Sequence, residues 1–346
     1  MADLTVKQKL GIFHNFGARV GKHSSKLLVG CGLLTFIASL AGWFPAGTVE
    51  IWYARGLFPR ISRWTGLLAD AVPFAWLDLV VAAIVVLGLL AVRQRRFRTL
   101  ISTVAMLYLF FFWSWGLNYH RQPLVSKLPF DRSRAGAEAV DRLTKRTAAE
   151  LNRLYGRQGS GGVTAAQRVA KVIVTIDGAE WNAASRVKSS VLVNPWLRVA
   201  GVDGLFNPFG HEPIVSTTLL DVEEPFVTAH EFAHVRGYPN EGDANMIALL
   251  ATILSDDPSH QYSGWLHLWF YVRNREVDKL LDDGPERDVQ RIFERSRRDR
   301  IQWLSNLQTA ILDLFLKANS VEEGVRSYAE IVVLAAGTEE NWDRFR

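Results

Sequence analysis

The chain has 346 residues, 49% of them apolar and 11% aromatic, with 12 Trp and only 22% charged, which is enough to bury a substantial core and excludes disorder and low-complexity repeats. Its one cysteine excludes a disulfide framework and any cysteine-rich zinc or iron–sulfur site. The net charge of +5 is carried beside apolar runs, which points to lipid headgroups and away from nucleic acid.

Residues 27–44 run without a charge, and at about 1.5 Å per residue they nearly cross a hydrocarbon core of about 30 Å. A cleaved signal peptide is the alternative, but the run begins late, and Ala41 to Pro45 offers a poor small-x-small cleavage site. A second run, 71–92, is interrupted only by Asp78, and a third, 100–117, carries the aromatic cluster around Phe110, Phe111 and Trp113. Three transmembrane helices are therefore expected, forming a membrane module over 1–120 ahead of a second domain over 121–346. Asp78 inside a span reads either as a proton relay or ion site, or as a carboxylate near enough to the span's start to meet headgroup water.

Lys7, Lys9, Arg19, Lys22 and Lys26 precede the first run, and Arg93, Arg95, Arg96 and Arg98 separate the second from the third. The bias of short loops toward Lys and Arg on the cytoplasmic side puts both segments there, and an odd number of spans then exports the remainder. Arg121, Lys127, Arg132 and Arg134 oppose that orientation. Between the first two runs, Trp52, Tyr53, Phe58 and Trp64 among Arg55, Arg60 and Arg63 read as an interfacial segment on the opposite face.

Beyond residue 123 no apolar run is long enough to span, so a mostly helical α+β domain with a small sheet is expected. Helical spacing covers 135–155, and the glycine-rich segment 156–162 ends it. The β-branched runs 172–176, 190–193 and 213–218 read as strands. Long helices are expected over 262–281, 286–317 and 321–336, the charge run 286–300 being a solvated face.

The chemistry lies between Glu223 and Ala251. His230, Glu231 and His234 form the HExxH pattern, in which two His four residues apart present their imidazoles to one Zn²⁺ and the Glu sits beside the metal-bound water. Pro225 suits a first helical turn, Glu223 and Glu224 complement the positive end of the helix dipole, and Gly237 suits a left-handed cap. A catalytic zinc takes three protein ligands and keeps one position open. With Asn240 capping a new helix, Glu241 in its first turn is the third donor and Asp243 its rival. Asn245, one turn on, is expected to accept from the back nitrogen of a ligating His.

HExxH followed by Glu241-x-x-Ala244-Asn245 resembles the gluzincin metallopeptidases, although Glu241 follows His234 by only seven residues. The metzincin pattern is set aside, because Asn240 stands where that pattern expects His or Asp. Trp115 through Tyr119, Gly204 through Glu212, Pro225 through Asn245, Phe315 through Asn319 and Gly324 through Tyr328 together resemble the bacterial membrane proteins grouped as domain of unknown function 3810. That resemblance implies a zincin-like domain anchored in the bacterial inner membrane.

The expected reaction is peptide hydrolysis, with Glu231 taking a proton from the zinc-bound water and passing it to the leaving amine. His260, Tyr262, His267 and Tyr328 are the candidates for an oxyanion or substrate contact, each with a competing packing or surface role. A peptide or protein substrate is expected to pair along 213–216 as an added strand. The competing reading is a non-catalytic zinc-binding sensor or scaffold, against which the intact Glu231 argues. An intramembrane protease is disfavoured, because Glu223, Glu224 and Arg236 flank the two His in a segment too polar for lipid.

Overall fold

The computed structural model describes residues 24–159, 161–178, 186–274, 276–319, 321, 324 and 330–346. The amino-terminal basic residues 7–22 and Tyr328 fall outside them. The chain is mostly helical with one two-stranded sheet.

Helix α1 covers Ser24–Leu40 and ends before Gly42, whose φ of +68° breaks the helix. A π-helical stretch, Val49–Leu57, runs into α2 (Phe58–Asp70). Helices α3 (Trp76–Arg93) and α4 (Phe97–Ser114) are joined by the arginine-rich link. Among the described residues only these two are long and apolar enough to cross a membrane, and almost nothing in the protein covers them. The expected count of three spans is thus corrected to two, since α1 has 17 residues. Asp78 is bonded by a loop of the domain that follows. Its carboxylate accepts from the Ser190 hydroxyl at 2.5 Å and from the backbone N–H groups of Val191 and Leu192, both at 3.0 Å, pinning that loop to the first turn of α3.

Helix α5 is Ala137–Leu154, as its spacing predicts, but the expected strand 172–176 belongs to α6 (Ala165–Asp177). The reason is local. Thr164 and Gln167 close a reciprocal capping box, and Gly178 takes the left-handed cap, so both ends favour helix over the β-branched preference between them. The expected strand 190–193 is also corrected: it is a turn leading into α7 (Asn194–Ala200), and only Lys188 makes a β-bridge, to Ile214. Strands β1 (Gly204–Asn207) and β2 (Glu212–Val215) pair antiparallel.

Helices α8 (Glu224–Val235), α9 (Glu241–Ile253) and α10 (Pro258–Val272) follow. The helix expected over 286–317 is two, α11 (Asp283–Arg298) and α12 (Gln302–Ala318), broken where the Ile301 N–H donates to the Val199 carbonyl at 2.9 Å. Helix α13 is Glu330–Thr338. The core lies where α9 packs against α6, α8, α10 and α13, filled by side chains such as Val169, Val172, Met246, Ile247, Leu250 and Trp269, each fully or almost fully buried. Apolar burial of this order is the main stabilising contribution, at roughly 1.5–3 kcal/mol per large side chain.

Candidate metal centre

Helix α8 carries both His on one face, and its end is fixed by a Schellman turn. The Tyr238 N–H donates to the Ala233 carbonyl at 3.1 Å, the Gly237 N–H donates to the His234 carbonyl at 2.9 Å, and Gly237 takes a φ of +79°. A side chain at 237 would meet the ring of Phe58 at 2.6 Å, so the position requires glycine on two counts. Asn240 then caps α9, its side chain accepting from the Asp243 N–H at 3.1 Å. This short connection turns Glu241 back over the two imidazoles.

His230 Nε2 and His234 Nε2 lie 3.1 Å apart, and Glu241 Oε2 lies 3.1 Å from the first and 3.4 Å from the second. The outer nitrogens fix the tautomers. His230 Nδ1 donates to the Asn245 side-chain oxygen at 2.8 Å, and His234 Nδ1 donates to the Tyr238 carbonyl at 2.7 Å. Both Nε2 lone pairs therefore turn inward beside a carboxylate, a donor set that fits a zinc-sized cation with its supporting partners already in place. Burial opposes a charge on His234, but the adjacent Glu241 outweighs it and pushes the imidazole up to about 9. Burial likewise opposes charge on Glu241, yet the two imidazoles hold its carboxyl well below the usual carboxylate range.

Glu231 is buried, and its Oε2 has no hydrogen-bond partner among the described residues. Burial pushes its carboxyl up to about 7, against the pull of His230 and His234. It lies hard against β1: a Cβ at Gly204 would come within 2.5 Å of Glu231 Oε1.

The rival ligand Asp243 faces away from this cluster. Its Oδ2 accepts from the Leu124 N–H at 3.3 Å, and burial pushes it up to about 6 despite Arg121 and Lys127 nearby. His267 lines the cleft, stacked on Phe226 with ring centroids 3.7 Å apart. His260 and Tyr262 do not line it. The first bonds Ser255, and the second donates to Asp288 at 2.9 Å, so neither is brought to the centre as an oxyanion or substrate contact. Two cleft residues escaped the sequence reading. Tyr271, on α10, receives a hydrogen bond from the Asn245 amide at 3.4 Å, and Tyr119 is half-buried beside Glu241.

The cleft measures about 650 Å³ and is bounded by Trp115 and Tyr119 below α4, by β1, and by Gln308, Leu312 and Phe315 of α12. The strand expected to receive an extended peptide is corrected here. Strand β2 is occupied on both edges, by β1 and by Lys188, whose N–H and carbonyl bond Pro213 and Val215 at 3.0 Å each. Among the described residues β1 pairs on one side only, and its Gly204, Leu205 and Phe206 line the cleft.

Behind the centre lies a buried ionic network. Arg121 donates to Glu50 at 2.9 and 3.1 Å, to Asp177 at 3.2 and 3.4 Å, and to the Gly237 carbonyl at 2.8 Å. Lys127 bonds the same two carboxylates, and the Tyr238 hydroxyl donates to Asp177 at 2.8 Å. The Trp115 indole N–H donates to the His234 carbonyl at 2.9 Å, one residue beyond the end of α4.

The family model for a protein of unknown function, DUF3810, matches residues 53–336. The chain belongs to that family. No curated protein and no solved structure matches it.

Proposed function

We propose that this is a membrane-anchored zinc-dependent peptidase of the HExxH, gluzincin-like type. The observation that carries the reading is the convergence of His230, His234 and Glu241 within 4.8 Å beside the buried Glu231, whose Oε2 has no hydrogen-bond partner among the described residues. A structural zinc site has no use for a base at that position.

His230, His234 and Glu241 would hold the ion, with Asn245 and the Tyr238 carbonyl orienting the imidazoles. Bound there, Zn²⁺ supplies a Lewis acid for a scissile carbonyl and an acidified water. Glu231 would accept a proton from the attacking water and return it to the departing amine, which requires its carboxylate to be ionised at the start. Tyr271, beside Asn245 on the cleft wall, supports the role of donor to the carbonyl oxygen that the sequence reading sought in its neighbours. The one-sided strand β1 supports an extended peptide lying beside Glu231 and adding a strand there.

Arg93, Arg95, Arg96 and Arg98, in and beside the α3–α4 link, orient that hairpin with the link in the cytoplasm, so the metal domain is extracytoplasmic. Purified protein in detergent against a broad peptide library tests the chemistry. Cleavage that Glu231→Gln lacks, that chelator abolishes and that zinc restores is expected. Zinc-loaded protein inert toward every peptide would favour the non-catalytic scaffold.

A further inference from the structure

Helix α12 presents apolar residues on two opposite faces. Leu312, Phe315 and Leu316 turn inward and line the cleft. On the other side Trp303, Leu307, Ile311 and Leu314 are 67%, 48%, 59% and 71% exposed. At about 100° per residue these four fall within roughly 80° of arc, while Gln302, Asn306, Asp313 and Lys317 make a separate polar stripe along one edge. A soluble domain rarely leaves so long an apolar stripe in water.

The position of this stripe says what covers it. Phe315 packs against Phe111 near the end of α4, with ring centroids 5.9 Å apart, and against Tyr119 just beyond it, at 6.1 Å. Val191, 77% exposed, and Leu192 project from the loop that Asp78 pins to the first turn of α3. The start of α3 and the end of α4 are the two hairpin ends that face the metal domain. Both apolar features are thus tied, by separate contacts, to the level at which the candidate spans leave the hydrocarbon. Trp303 and the polar stripe of α12 suit a helix lying at the boundary between acyl chains and headgroups.

We propose that α12 and the Val191–Leu192 loop seat the metal domain on the bilayer, so that the cleft opens at the membrane surface and takes a polypeptide held in or on the membrane. The substrate class rests on the hydrolytic reading above, whereas the seating on lipid does not.

Single cysteines placed at Leu307, Ile311 and Leu314, with Asn306 as the polar-edge control, test the seating in a Cys31→Ser background. Each carries an environment-sensitive fluorophore in the full chain, reconstituted in phosphatidylethanolamine and phosphatidylglycerol vesicles. Spin-labelled lipid is expected to quench the three apolar positions several-fold more than Asn306, and aqueous iodide to show the reverse. Iodide quenching at Leu307 and Leu314 equal to that at Asn306 would overturn the seating. Protection from both quenchers would also overturn it, showing protein on this face, and cross-linking between copies at Ile311 would identify a second copy.

The substrate class is read with Leu307→Glu/Leu314→Glu, which leaves the cleft wall intact. Its rate on a peptide tethered to a membrane anchor should fall at least tenfold, with the rate on the same peptide free in solution unchanged. Equal loss on both, or no loss on either, would overturn the substrate class. If the wild type cleaves neither peptide, the hydrolytic reading and the substrate class fail together, and the quenching result alone decides the seating.

Discussion

Arg121 is the residue through which the membrane-proximal chain holds the turn between His234 and Glu241, and removing it should be felt in both. It makes four hydrogen bonds to Glu50 and Asp177 and a fifth to the Gly237 carbonyl, all from a buried position. Arg121→Met keeps much of the apolar stem but leaves two buried carboxylates facing Lys127 and the partly exposed Arg55. Breaking one partner of a buried ion pair costs about 3–5 kcal/mol, because the remaining charge stays desolvated. For a chain of this size that corresponds to a fall in Tm of roughly 4–7 °C in detergent. Adding Glu50→Gln returns the buried charges to balance, so the double variant should recover part of the loss. Burial works against the Glu50 charge, but Arg121 and Lys127 outweigh it and hold the carboxyl down to about 2. A depressed carboxyl stabilises the fold above its unfolded value of 4.5 and loses that contribution as pH falls toward 2, so the gap between wild type and Arg121→Met should narrow over that window. An Arg121→Met protein that melts with the wild type, or a double variant less stable than the single, would refute the argument.

Three further outcomes follow from the centre itself. Asn245→Ala should weaken zinc affinity about 10–100-fold, measured by competition with a fluorescent chelator, because His230 loses the acceptor that fixes its tautomer. Gly204→Ala should push Glu231 aside by the better part of an ångström, costing about 100-fold in peptide hydrolysis at unchanged zinc content; an active variant would remove β1 from the site. In the metal-free protein His234 is raised from 6.5 to about 9, so its contribution to stability is full below 6.5 and is lost as pH rises through 9. Zinc must displace that proton, so apparent affinity should rise about tenfold per pH unit between pH 7 and 8, with proton release seen by calorimetry in buffers of different ionisation enthalpy.

The turn that brings Glu241 to the two His was legible because its determinants are local. Two His one turn apart, a glycine for the left-handed cap, and Asn240 ahead of Glu241 set the geometry over sixteen residues, from His230 to Asn245. Helix α6 was legible as well, in Thr164, Gln167 and Gly178, but the β-branched run between those caps invited the wrong period. Tyr271, Tyr119 and Gly204 reach the cleft only through the packing of α10, of the segment after α4, and of β1, and no short-range pattern marks such positions. The break between α11 and α12 is of the same kind, since the Ile301 N–H is drawn to Val199 about a hundred residues earlier. Asp78 was legible as an unusual residue but not as an anchor, because its three donors come from a loop 112 to 114 residues away.

His230, His234 and Glu241 are expected to hold one zinc. Metal content by mass spectrometry, on full-length protein purified without added metal, tests it directly across four chains. One zinc per chain is expected in the wild type and in Asp243→Asn, whose carboxylate faces Leu124 and not the centre. Near-complete loss is expected in His234→Ala and Glu241→Ala. Full occupancy in either of those two, or loss in Asp243→Asn alone, would contradict the ligand set.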